Sequence, residues 1–416
     1  MDGFARKGYG LVSKVFGRQL SRSSGGAAVA VYHRGEPVVD LWGGSRTEEE
    51  PWQADTVAMC FSTTKGVAST ALHILADRGL VDYDAPVAEY WPEFAANGKE
   101  SVTVRHVLTH SAGLHRIRSI VDSGDRLLDW DYMTTALAAA APAYEPGTRH
   151  GYHALTYGWL VGEIVRRVSG TPITGFVDTE IAGPLGCDGL YIGLPGSERH
   201  RVAPLERLAL PRPTNPTRRR IEKRIGTQMG KVVSAMPGTL NTRRMANALV
   251  PRNAEEALFS EATMDASIPA ANGFFTARSL ARMYAMIAGG GELDGVRLLT
   301  EERVRIMGEV QRRGRDLVLV MPMDWRLGYH RVFTSRGPVP SAFGHFGFGG
   351  SGAWADPERD LSVAFVCNRG SGTPVGDLRM MELGAAAVRA ADRVASGTPE
   401  DPSTEDTDRP GARSGQ

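Results

Sequence analysis

A chain of 416 residues can bury a large core, and a formal net charge of +1 leaves no global field that would draw it to nucleic acid or an anionic surface. Hydrophobic residues at 42% and charged residues at 23% fit an ordinary globular protein, and no apolar run is long enough to cross a bilayer. The three cysteines (Cys60, Cys187, Cys367) stand far apart without a CxxC pair, which argues against a disulfide framework and fits a reducing, cytoplasmic setting.

Along the chain, residues 1–25 read as an amphipathic helix carrying Phe4, Val12, Val15, Phe16 and Leu20, expected to pack on the body of the protein and not to insert into a membrane. Residues 27–33 and 38–42 are apolar runs joined by Arg34-Gly35-Glu36-Pro37, a hairpin signal. A helix is expected over 63–78, stopped by Gly79, with others at 104–109, 157–168, 279–288 and 301–307. Residues 204–252 are rich in arginine and proline, with Arg218-Arg219-Arg220 beside Lys223-Arg224. No aromatic residues are interleaved among those cations to stack on bases, so a solvated insertion or a lid over the cleft is favoured over a nucleic-acid site. Strands follow at 342–347, 352–355 and 361–368, the last two separated by the turn Asp356-Pro357-Glu358-Arg359-Asp360. A closing helix is expected over 377–395 and a disordered polar tail over 396–416.

This order implies an α/β class of the α+β sandwich type. An antiparallel sheet of about five or more strands is built from both ends of the chain (26–80 and 310–395) and flanked by helices. Residues 81–309 form a mainly helical inserted domain.

Three segments carry chemistry. In Ser62-Thr63-Thr64-Lys65 a helical spacing of three brings the Lys65 amine within reach of the Ser62 hydroxyl, which needs a base to become a nucleophile. A lysine can serve if a dry pocket lowers its pKa, and a helix N-terminus suits a developing oxyanion. The alternative is a helix N-cap, against which stands the apolar run from Val57 to Phe61 that carries Ser62 toward the interior. Tyr152, in Gly151-Tyr152-His153-Ala154, is a candidate proton shuttle or else a core aromatic. Gly344-His345-Phe346-Gly347-Phe348-Gly349-Gly350-Ser351 is a glycine-rich strand that could present a backbone N–H to a substrate carbonyl, or simply bend. The close histidines (His106 and His110; His150 and His153) could suit a metal, but no HExxH or cysteine partner accompanies them, and no metal is assigned. There is no Walker motif, no convincing dinucleotide fingerprint and no GxSxG elbow; no cofactor is expected.

Together these pieces resemble the serine β-lactamase and penicillin-binding-protein superfamily, in its class C-like esterase branch, the family VIII carboxylesterases. Ser62-Thr63-Thr64-Lys65 matches the nucleophile motif, Tyr152-His153-Ala154 the tyrosine motif and His345-Phe346-Gly347 the strand motif. The resemblance implies a β-lactamase/DD-peptidase-like fold with the site between sheet and helical domain. It implies Ser62 as the acylated residue, Lys65 and Tyr152 as general base and acid, and the N–H groups of Ser62 and Phe348 as oxyanion hole. His345 and Gly347 would line the substrate side. True class C β-lactamases have Asn where this chain has Ala154 and Lys where it has His345. Losing that amide and cation favours a small or short-chain acyl ester as substrate over a β-lactam. The alternatives are a β-lactamase, a D-aminopeptidase-type amidase, an acyltransferase, or an inactive binding protein of the same fold.

Overall fold

The computed structural model describes residues 1–205, 250–370 and 377–398. Nearly all of the expected tail and of the 204–252 insertion therefore lies outside the described residues. The strands, in chain order, are β1 (Asp2–Ala5), β2 (Ala27–His33), β3 (Glu36–Gly43), β4 (Val57–Met59), β5 (Leu190–Ile192), β6 (Val202–Ala203), β7 (Gly273–Phe275), β8 (Glu292–Leu293), β9 (Val296–Arg297), β10 (His330–Thr334), β11 (Gly337–Phe346), β12 (Gly352–Asp356) and β13 (Leu361–Cys367).

Seven of them form one antiparallel sheet in the order β1-β3-β2-β13-β12-β11-β10. The two ends of the chain meet at its centre, where β2 pairs with β13 in the register Ala30↔Ala364 and Val31↔Val363. Both strands are buried along their whole length, which explains why they read as continuous apolar runs and not as alternating ones. Alternate residues serve two separate cores. Val29, Val31, Val363 and Phe365 face the helices Gly10–Leu20 and Leu378–Ala395 through Val12, Phe16, Met380 and Leu383. Ala28, Ala30, Ala364 and Val366 face the larger core, to which Leu280, Tyr284 and the helical part contribute. The helix Ala277–Ala288 lies within the stretch expected to be helical, yet it packs directly on β2, β12 and β13.

The first residues differ from expectation. Asp2–Ala5 forms the edge strand β1, paired with β3 in the register Asp2↔Trp42, and the amphipathic helix covers only Gly10–Leu20. Phe4 is on the exposed strand, not on the buried helix face, while Val12, Val15 and Phe16 are buried as the helical period requires. An edge strand needs only half the pairing of a central one, so its residues carry little apolar signal. Among the described residues no helix is long and apolar enough to cross a membrane.

A smaller sheet, β5-β7-β4-β6, sits beside the large one. It matters because β4 leads directly into Ser62.

Candidate active site

β4 is buried throughout, and Cys60 continues it with its N–H donated to Gly273 O at 2.8 Å. The chain then bends at Phe61, whose φ of +45° lies in the left-handed region that bulky side chains avoid. A 3-10 turn, Phe61–Thr63, runs straight into the helix Thr64–Asp77. Thr64 holds the bend from inside: its hydroxyl donates to Phe61 O at 2.5 Å and accepts the Gly273 N–H at 2.8 Å. Ser62 is thereby fixed on a strained corner at the head of a helix, half-buried, which is where strain is found at functional sites.

Lys65, one turn on, is fully buried; its Nζ donates to Ser62 Oγ at 3.0 Å and to Ala270 O at 2.9 Å. Tyr152 reaches the same oxygen from the helical part, its OH donating to Ser62 Oγ at 2.8 Å. The Lys65 Nζ also lies 5.0 Å from the centre of the Tyr152 ring. The three residues separated in sequence therefore meet around one oxygen. Burial alone drives the Lys65 amine well below the usual lysine range. Burial likewise pushes the Tyr152 phenol up, and its hydrogen bond to Ser62 only partly opposes this. Both shifts favour the uncharged forms, a free amine and a phenol. A phenolate held by cationic neighbours, the form considered from the sequence, is not favoured here.

Tyr152 is aimed by residues that no motif announces. Its backbone N–H donates to Asp316 Oδ1 at 3.1 Å, and its ring stacks on Trp325 at 5.6 Å with the planes 7° apart. Asp316 is buried and also accepts the N–H groups of Val318 (2.8 Å) and Leu319 (2.9 Å) and the Trp325 indole Nε1–H (3.1 Å). Asp316 lies 164 positions from Tyr152, so no local spacing signal could find it. Thr64 and the Ala270 carbonyl were equally unmarked.

The glycine-rich strand approaches from the other side. A Cβ on Gly347 would stand 2.2 Å from Cys60 O, so only glycine lets β11 close against the nucleophile turn. Thr63 Oγ1 donates to Ser351 O at 3.1 Å and ties the two together. The Gly347 N–H is already given to Ser351 O at 2.7 Å, whereas the Phe348 N–H has no partner among the described residues. The Phe348 ring meets Phe61 edge-on at 5.4 Å, and Phe61 tilts against Phe259 at 6.1 Å. With Met59 and Leu205 these rings line an apolar cleft beside the turn.

His345 is buried; its Nδ1–H donates to Phe346 O at 3.1 Å and its Nε2 has no partner among the described residues. Its ring centre is 6.1 Å from that of Tyr152, and burial lowers its pKa and keeps it neutral. Ala154 packs in a small apolar cluster with Tyr152, Val318, Met323 and Trp325. Three of the other histidines singled out in the sequence are engaged by backbone. His106 closes a capping box with Thr103 at the start of Val104–Leu108. His110 Nδ1 accepts the His153 N–H at 3.1 Å, and His153 Nε2 accepts the Leu114 N–H at 3.0 Å.

The chain as a whole also has relatives among known proteins. The beta-lactamase family model matches residues 12–387. The chain is 42% identical over 351 residues to "Esterase/beta-lactamase LipL" of Mycobacterium tuberculosis, covering 84% of this chain and 78% of that protein. Among solved structures, a family VIII carboxylesterase superposes with a TM-score of 0.80 at 34% identity, covering 94% of this chain and 100% of that one. A penicillin-binding-protein homologue from Caulobacter crescentus gives 0.78 at 36% identity, covering 93% and 100%. A single constellation of serine, lysine and tyrosine, the sheet that carries it and these likenesses lead to one assignment: the chain belongs to the beta-lactamase family.

Proposed function

We propose that this protein is a serine carboxylesterase that cleaves small or short-chain acyl esters through an acyl-enzyme on Ser62. One observation carries the reading: Ser62 Oγ lies 3.0 Å from a fully buried lysine amine and 2.8 Å from a buried phenol. No carboxylate pairs with Lys65 among the described residues to offset the cost of burying its charge, which favours the free amine, whose lone pair can take the serine proton.

In the first step the Lys65 amine turns its lone pair to Ser62 and takes the Oγ–H proton as Oγ bonds to the ester carbonyl carbon. The charge that develops on the carbonyl oxygen faces the N–H of Ser62, at the head of the helix, and that of Phe348, just after β11. Collapse breaks the bond to the alcohol. The Tyr152 O–H supplies the proton that the leaving alkoxide needs, and the proton on Lys65 restores the phenol. Water then repeats the sequence in place of the alcohol and releases the acid. Gly347 serves by letting the strand approach, and His345 by holding the floor beneath Tyr152.

Ala154 and His345 place an apolar and a neutral group where a β-lactam amide and carboxylate would call for an amide and a cation, which supports esters over β-lactams. The relative named above is called both esterase and beta-lactamase, so weak β-lactam turnover is the second activity to measure. The three unpaired cysteines, two of them buried, support a cytoplasmic setting. The test is turnover of 4-nitrophenyl butyrate: Lys65→Ala and Tyr152→Phe are each expected to lower kcat by at least ~100-fold, the scale of a general acid–base group. A near-normal rate in either removes the role assigned to that residue.

A further inference from the structure

The helix Val104–Leu108 ends on a turn that has no need of a histidine. The Ser111 N–H donates to His106 O at 2.8 Å and the His110 N–H to Val107 O at 3.1 Å, the pair of bonds that closes a helix on a left-handed residue. Glycine is the usual occupant of that position, since it has no side chain to strain. Here the occupant is His110, at φ +56° and fully buried. An unfavourable backbone kept at a buried side chain points to a task for that side chain.

What His110 holds is the segment that carries Tyr152. The Gly151 N–H donates to His110 O at 3.0 Å and the His153 N–H to His110 Nδ1 at 3.1 Å, while the Tyr152 N–H between them goes to Asp316 Oδ1. Backbone and side chain of one residue thus grip the positions on either side of the tyrosine. The His110 ring also lies edge-on to Tyr152, with centres 5.0 Å apart, and to Trp325 at 4.2 Å, the ring on which Tyr152 stacks. Because Nδ1 accepts, the ring proton sits on Nε2, which is buried without a partner among the described residues. Burial lowers the ring's pKa well below the usual histidine range, so Nδ1 keeps its lone pair. The stranded Nε2–H is the cost of that tautomer.

We propose that His110 is a positioning residue for the hydrolysis: its Nδ1 and carbonyl oxygen clamp His153 and Gly151 so that the Tyr152 phenol stands at hydrogen-bonding distance from Ser62. The inference rests on the esterase reading and adds to it a residue that acts only through Tyr152. Two substitutions separate this role from simple packing. The Asn Oδ1 stands close to where Nδ1 stands, and asparagine tolerates a left-handed backbone, whereas the Gln amide reaches the place of Nε2 and leaves the His153 N–H without its acceptor.

The experiment measures 4-nitrophenyl butyrate hydrolysis by the whole protein, with the folding of every variant checked by urea denaturation. His110→Gln should lower kcat about 100-fold with KM little changed, the scale of a misplaced catalytic group. His110→Asn should keep kcat within about tenfold of the unsubstituted protein, the scale of the aromatic contacts it gives up. In a Tyr152→Phe background His110→Gln should add little, because no hydroxyl remains to be placed. Equal kcat in the folded Asn and Gln variants, or a further loss of about 100-fold on top of Tyr152→Phe, overturns the proposal. His110→Ala takes the place of His110→Gln in each comparison should the glutamine variant not fold.

Absence of Ser62-dependent turnover by the unsubstituted protein, or near-normal kcat in Tyr152→Phe, would instead refute the esterase reading. A crystal structure of the His110→Gln protein reads the placement without any turnover. A Tyr152 hydroxyl beyond about 3.5 Å from Ser62 Oγ supports the clamp, and one still at 2.8 Å refutes it.

Discussion

Asp316 offers a perturbation whose size can be worked from the structure. Its Oδ1 accepts the N–H groups of Tyr152, Val318 and Leu319, and its Oδ2 the Trp325 indole N–H. Asp316→Ala strands four donors around a buried site, at about 1–3 kcal/mol for each donor left unsatisfied. Water entering the space left behind recovers part of this, so a stability loss of at least about 3 kcal/mol is expected. Asp316→Asn is more informative. Oriented with its oxygen toward the three backbone N–H groups, the amide keeps those bonds and turns its NH₂ toward the indole N–H. Only one bond is lost, at about 1–2 kcal/mol, and a donor then faces a donor.

Adding Trp325→Phe removes the opposing N–H while keeping a ring for Tyr152 to stack on. The double variant should therefore lose less stability than the sum of the two single variants, a positive coupling in a double-mutant cycle. Urea denaturation gives the stabilities, and 4-nitrophenyl butyrate hydrolysis gives kcat and KM. Because Asp316 positions Tyr152 and does not touch substrate, kcat should fall on the order of 100-fold in Asp316→Ala with KM little changed, and most of it should return in Asp316→Asn. Normal kcat in folded Asp316→Ala, or strictly additive effects of Asp316→Asn and Trp325→Phe, would refute this account of how the phenol is aimed.

Other outcomes follow from the same contacts. Gly347→Ala pushes a methyl into the Cys60 carbonyl and must move either β11 or the Ser62 turn; a stability loss of about 1–3 kcal/mol and at least ~100-fold loss of kcat are expected by denaturation and ester assay. Burial lowers His73 and His153 to about 3 and His330 and His115 to about 4, so the unfolded chain binds more protons than the folded one between about pH 4 and 6.5. Stability should thus fall as pH drops through that window, by up to about 1.4 kcal/mol per pH unit for each histidine, which a urea titration at stepped pH values checks. Ester hydrolysis should exceed hydrolysis of penicillin or a cephalosporin on one purified sample; the reverse ranking would overturn the inference from Ala154 and His345.

Much of this site could be read from the sequence because its chemistry is local. The spacing of Ser62 and Lys65 is one helical turn, and the structure places them on the first turn of Thr64–Asp77 and the bend before it. The glycines near His345 advertised a close approach, and Gly347 against Cys60 is such an approach. What could not be read depends on contacts across the chain. The left-handed Phe61 follows from Thr64 and Gly273 meeting beneath it, and the lowered pKa of the Lys65 amine follows from burial by segments far away in sequence. Asp316 and Trp325 act on a tyrosine more than 160 positions distant, through a loop with no regular period. The central strands were legible because both their faces are apolar. β1 and β10 were not, since edge strands such as Asp2–Ala5 and His330–Thr334 carry polar residues and half the pairing.

Covalent labelling offers the most direct trial of the central idea. The folded protein is incubated with a fluorophosphonate, and the modified peptide is identified by mass spectrometry. Attachment is expected on the Ser62 hydroxyl, absent in Ser62→Ala and slowed at least ~100-fold in Lys65→Ala. Modification at another residue, or undiminished labelling without the lysine amine, would contradict a serine made reactive by its buried neighbour.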